Sequence, residues 1–204
     1  ERTMNSFLGI TTDFSVTELH FDDLKQAEYI YAEGYLVTSD VSRAAVLEAR
    51  KVAAENGIKT AITFSDPSMV TYFRDGLAEM IGEGVDILFS NEEEATIFTG
   101  KDNLDDAIAD LKTLCDTLVL TLGNKGAMII KGDKRIVIDP VATTAVDTNG
   151  AGDMFAGAYL YGTTHGFSEL QSGNLASEAA SIIVSRFGTR LEAEEQKHLI
   201  EKYC

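Results

Sequence analysis

The stretch 147–153 reads D-T-N-G-A-G-D and sets three small residues, Gly150, Ala151 and Gly152, between two carboxylates, Asp147 and Asp153. It runs into M-F-A-G-A-Y-L over 154–160, whose apolar residues have helical spacing with no proline to interrupt them. Small residues at a helix start leave backbone N–H groups open to close approach. Those groups and the helix dipole favour an anion with several oxygens, such as a phosphoryl group in transfer. Asp153 falls in the first helical turn, where it could take a proton from an attacking hydroxyl. Asp147 lies outside the helix, placed to orient the loop or hold a cation. The plainer alternative is a glycine turn that only starts a helix, with Asp147 or Thr148 near its cap.

Two further places carry polar residues where a strand should end. After the apolar run 85–89 comes S-N-E-E-E, so Ser90 or Asn91 caps a helix and the glutamates suit its positive end. After the apolar run 117–121 comes L-G-N-K-G, a glycine-containing turn between two strand patterns. Ligands in open α/β sheets sit at such strand ends.

The elements that must position these residues alternate in kind. Residues 29–31 and 34–37 read as strand, the latter as a buried strand end. Ser39 or Asp40 caps a helix with Val41, Ala44, Ala45, Leu47 and Val52 on its apolar stripe, closed by Asn56-Gly57. Residues 59–64 are a strand, 69–81 a helix, 85–89 a strand, 104–114 an amphipathic helix and 117–121 a buried strand. Residues 128–130 and 135–138 flank a Lys131–Lys134 turn and form a late antiparallel hairpin. A helix over 170–187 follows, with Leu175, Ala179, Ile182, Ile183 and Phe187 for its buried side, and 192–203 forms a terminal charged cover helix. The opening residues 2–9 read as a strand. This β-α-β-α order predicts an α/β fold, a mostly parallel sheet with helices on both faces, in one domain over 1–204.

The chain has 204 residues, enough for one sizeable core. Its 17 Lys and Arg against 33 Asp and Glu give a net charge of -16, which argues against nucleic-acid backbones and anionic membranes as partners. Cys115 and Cys204 form no C-x-x-C pair, and His20, His165 and His198 have no ligand spacing, so neither a disulfide framework nor a zinc site is expected. No apolar run reaches the roughly 18 residues of a membrane span and no secretory signal opens the chain, so a cytoplasmic location is expected.

The heptad D-T-N-G-A-G-D resembles the signature of the ribokinase (PfkB) family of sugar and nucleoside kinases, and Asn149 resembles its adenosine-kinase-like branch. The resemblance implies a ribokinase-like fold, ATP and Mg²⁺ as cofactors, Asp153 as catalytic base, and Gly150, Ala151 and Gly152 as the anion hole. N-x-x-E over 91–94 matches the family's second motif, which implies Asn91 in the phosphate network and Glu94 holding Mg²⁺ through water. The turn after residue 120 resembles the family's T-x-G-x-x-G loop, so Thr121, Gly123 and Gly126 are expected along the ATP phosphates. Asn174 and Ser177 are adenine-pocket candidates, and Asp147 with carbonyls of residues 186–189 is a candidate K⁺ site. E-R-T-M-N sits in mid-chain in the family, so the chain is expected to correspond to the C-terminal part, lacking the first strands, the lid and the N-terminal acceptor motifs. The expected activity is ATP-dependent phosphorylation of an alcohol on a sugar or nucleoside, a small-molecule substrate. The rival is a non-catalytic ATP-binding module of the same fold. A dinucleotide oxidoreductase would need G-x-G-x-x-G after an early strand and a P-loop kinase G-x-x-x-x-G-K-[ST]; neither occurs.

Overall fold

The computed structural model describes residues 7–203, which form two compact units, residues 7–116 and 117–203. The strand expected over 2–9 lies for the most part outside the described residues; at its far end a 3-10 helix runs Gly9–Asp13.

The first unit is a parallel βα stack. A short helix α1 (Phe21–Leu24) precedes β1 (Tyr29–Glu33), which pairs in parallel with β2 (Lys59–Thr63), and β2 pairs in parallel with β3 (Val85–Asn91). The crossovers are α2 (Asp40–Asn56) and α3 (Pro67–Ile81), and β3 leads into α4 (Glu92–Thr99) and α5 (Leu104–Leu111). Each long helix is started by its own chemistry. Ser39, Asp66, Asn91 and Asn103 accept a backbone N–H in the first turns of α2, α3, α4 and α5. Gly57 and Gly100 end α2 and α4 in left-handed conformations that cost glycine little. Ile62, Phe64, Leu77, Met80, Ile81 and Leu88 are fully buried between strands and helices.

Three expectations are corrected here. Residues 34–37 do not extend the strand; a 3-10 helix runs Gly34–Thr38. The chain turns because Gly34 lies against the next strand's end: its N–H donates to Ser65 Oγ at 2.8 Å, and a Cβ there would stand 2.4 Å from the Phe64 carbonyl oxygen. The buried stripe of α2 is Ser42, Ala45, Val46, Ala49, Val52 and Ala53, so Val41 and Ala44 face outward. Ser42 replaces an apolar residue on that stripe because its hydroxyl donates to the Leu36 carbonyl at 2.8 Å. The helix at 104 also stops at Leu111, three residues earlier than its pattern.

The second unit is antiparallel. β4 (Cys115–Thr121) pairs with β5 (Ala127–Lys131), and β5 with β6 (Lys134–Ile138). The late hairpin is present, and β4 joins it because the 122–126 link is too short for a parallel crossover. That link is closed by the Leu122 N–H donating to the Gly126 carbonyl at 2.8 Å. Then come α6 (Ala151–Thr164), α7 (Glu169–Val184) and α8 (Ala193–Tyr203). Leu175, Ala179 and Ile183 bury one face of α7, but the helix ends before Phe187, whose ring is exposed. α8 is more than a solvated cover: Leu199 is 2% exposed in a cluster with Leu175 and Ala179, and Lys202 and Tyr203 both donate to the Glu178 carboxylate. Among the described residues, no helix is long and apolar enough to cross a membrane.

The close approach at Gly34 gives a direct test. Gly34→Ala should destabilise the protein by about 1–3 kcal/mol in denaturant unfolding, since the added methyl meets backbone rather than a movable side chain.

Candidate active site

Six residues of the second unit that the sequence singled out converge on one cavity of about 510 Å³. Its wall is made by Thr121, Gly123 and Gly126 after β4, by Ala151 and Gly152 at the start of α6, and by Ser177 of α7. Gly123 and Gly126 have positive φ of 59° and 92°. At Gly126 a Cβ would stand 2.1 Å from the Ile138 carbonyl oxygen, so only glycine lets the loop lie against β6. The remaining lining is largely apolar, from Val141, Ala142, Phe155, Ala180 and Val184 among others. Two hydroxyls on α7's side bind backbone: Ser177 Oγ donates to the Asp139 carbonyl at 3.3 Å, and Thr143 Oγ1 to that of Ser181 at 3.4 Å.

The start of α6 differs from those of the other long helices described above. Its cap is Gly150, left-handed at φ 72°, and no side chain bonds the first turn. Neither Asp147 nor Thr148 serves as side-chain cap: Asp147 Oδ1 accepts the Asn149 N–H at 3.0 Å, and the Thr148 carbonyl accepts the Ala151 N–H at 3.3 Å. The Met154 N–H donates to the Gly150 carbonyl at 2.9 Å. The N–H groups of Gly152 and Asp153 therefore have no carbonyl one turn back within the helix. A Cβ at Gly152 would meet nothing within 4 Å, which leaves open space beside those donors. At Gly150 a Cβ would stand 2.7 Å from Thr189 Cβ, so that glycine is required by packing as well as by φ. Apolar walls at one end and uncapped N–H groups beside a glycine loop at the other suit a nucleotide with its phosphates at the glycines. Asp153 is exposed in the first turn of α6 and is not part of the cavity lining. Asn174 is half-buried on α7 and also outside that lining.

In the first unit, Asn91 and Glu94 form a reciprocal capping box. Asn91 Oδ1 accepts the Glu94 N–H at 2.8 Å, while Glu94 accepts from the Asn91 N–H at 2.9 Å and from its Nδ2 at 2.8 Å. Glu94 is 4% exposed. Burial pushes its carboxyl up to about 7 against the pull of the Asn91 N–H, with Asp66 and Glu93 adding repulsion. Each carboxylate oxygen of Glu94 thus accepts a hydrogen bond from Asn91. Among the described residues, no group of three or more His, Cys, Asp or Glu side chains could hold a metal ion directly.

Sequence reading missed the 139–146 segment, Phe155 and the Ala180-Ser181-Val184 face. These are apolar or small residues without motif spacing, and the only available signal was their position next to the heptad and on α7.

Residues 1–196 match the pfkB family carbohydrate kinase description, and the chain belongs to that family. It is 28% identical to the adenosine kinase of Saccharomyces cerevisiae over 209 residues, covering 95% of this chain and 61% of the yeast protein. The adenosine kinase of Sinorhizobium meliloti superposes with a TM-score of 0.89 at 30% identity, over 94% of this chain and 59% of that one. A protein named "probable sugar kinase protein" from Rhizobium etli gives 0.86 at 31%, over 92% of this chain and 59% of that one. The chain thus spans about three-fifths of the length of these relatives.

Two experiments check the site. Gly152→Ala should fold at least as stably as the parent, because alanine favours helix by about 1 kcal/mol, yet lose nucleotide affinity in calorimetric titration; Gly150→Ala should lose stability as well. Glu94 contributes stability in its neutral form, fully present below the usual carboxylate range and lost as pH rises towards about 7. Glu94→Gln should therefore gain stability relative to the parent between pH 5 and pH 8, and parallel denaturation curves at the two pH values would show no such burial effect.

Proposed function

We propose that the protein transfers the γ-phosphoryl group of ATP to an alcohol of a sugar or nucleoside. The observation that carries this reading is the cavity joining the Thr121–Gly126 turn, the uncapped start of α6 and the small face of α7. Family membership supports the reaction class, and the adenosine and sugar kinases among the relatives support the acceptor class.

In this reading the apolar walls take the base and α7's Ser177 borders it. Gly123 and Gly126 let backbone lie along the phosphates. Gly150, Ala151 and Gly152 form the anion hole, in which the uncapped N–H groups of the helix start face the oxygens of the moving phosphoryl and hold its charge by fixed dipoles that need no reorganisation. Asp153 accepts the acceptor's hydroxyl proton. Mg²⁺, when bound with the nucleotide, neutralises phosphate charge. Glu94, fixed by Asn91, would hold that ion through water. Asp147 and carbonyls of residues 186–189 would hold a monovalent cation such as K⁺. In this reading the whole chain acts as one catalytic domain on a small-molecule acceptor.

The test is ADP release with MgATP across a panel of nucleosides and sugars, run beside Asp153→Asn. Turnover with one acceptor that falls by about 10²–10⁴-fold in the variant, with ATP affinity kept, is the expected result. Near-normal turnover in the variant would remove Asp153 from the chemistry. ATP binding with no acceptor phosphorylated would instead favour a binding module.

A further inference from the structure

The glycine turn is held from behind by the segment after α7. Val146 and Asp147 both donate their N–H to the Val184 carbonyl, at 2.8 and 3.2 Å, so the end of α7 fixes the approach to the turn. Thr189 sits directly on Gly150, with its Cβ and Cγ2 each 2.7 Å from where a Cβ of Gly150 would be. The segment carrying Thr189 is itself closed by a fork. Arg186 Nη1 donates to Glu195 Oε1 at 2.8 Å and Nη2 to Oε2 at 2.6 Å, while Nη2 also reaches the Arg190 carbonyl at 3.2 Å. Glu195 Oε2 also accepts the Glu192 N–H at 2.8 Å. One ion pair thus ties both ends of the loop and two backbone groups inside it. Its far partner stands on α8, which is pinned by Leu199 and by the Lys202 and Tyr203 bonds to Glu178.

We propose that Arg186 and Glu195 are positioning residues for the phosphate site: their fork holds residues 186–192 so that Thr189 presses Gly150 into the left-handed conformation that aims the first N–H groups of α6. The geometry stands independently; its kinetic consequence rests on the phosphotransfer reading. Neither residue lines the cavity. A half-buried surface pair of this kind contributes little to global stability, so its effect should be local. Arg186 is required as an arginine, because a lysine supplies one point charge and no fork.

Hydrogen exchange on the whole chain separates this from general loosening. In Glu195→Gln and in Arg186→Lys, the hydrogen-bonded amides within residues 151–154, those of Ala151 and Met154, should exchange about threefold to tenfold faster than in the parent, with those of β5 unchanged. Lys131→Met, which breaks the exposed Lys131–Glu169 pair elsewhere in the unit, should leave residues 151–154 as they are. In the kinase assay kcat should fall about tenfold in both clasp variants with the acceptor KM unchanged. Unchanged exchange at 151–154 in both variants, or an equal rise across β5, would overturn the proposal. If the parent transfers no phosphoryl group, the kinase reading fails and the exchange comparison alone decides the clasp.

Discussion

Everything around the second unit's cavity depends on a helix that begins without a side-chain cap. A buried or ligand-facing helix start normally satisfies its N–H groups with a nearby oxygen, and Ser39, Asp66, Asn91, Asn103 and Ser168 do this for other helices of this chain. At α6 the cap is Gly150, which has no oxygen to offer. The donors stay available only because the turn is held by backbone and packing instead: by the Val184 carbonyl, the Asp147 carboxylate and the Thr189 side chain. Open donors here come from leaving local bonding incomplete and making up the rigidity from neighbours.

The first unit treats its motif in the opposite way. Asn91 and Glu94 complete each other's bonding, so the N-x-x-E pattern that reads as a phosphate and magnesium motif is also a capping box. The two descriptions are compatible, since a carboxylate fixed by its own helix start is pre-oriented for an outer-sphere role. Burial then matters as much as geometry, because it moves Glu94's proton equilibrium to near neutrality.

How much of this was legible in the sequence follows from the range of the forces involved. The caps at Ser39 and Asn91, the glycine stop at Gly57 and the hairpin around Gly132 are set by neighbours within a few residues, and they were readable. Gly34 was not, because what bends the chain there is the backbone at Phe64 and Ser65, some thirty residues on. The α2 stripe slipped for the same reason: Ser42 looks polar until Leu36's carbonyl is placed beside it. In the site, Gly123, Gly126, Gly152 and Ser177 were found through motif and place, whereas Phe155 and the 139–146 wall carry no local mark. Thr189's seat on Gly150 joins positions far apart in the chain and could come only from the fold.

The helix α7 is used from both sides. Leu175, Ala179 and Ile183 on one side belong to the core, while Ser177, Ala180, Ser181 and Val184 border the cavity. With about 3.6 residues per turn, both sets recur along the same turns of the helix. A party wall of this kind cannot be renovated from one room: a larger side chain accepted in the core would shift the helix and narrow the cavity. Variation along α7 should therefore be limited by volume on both faces at once, even where a residue touches no ligand.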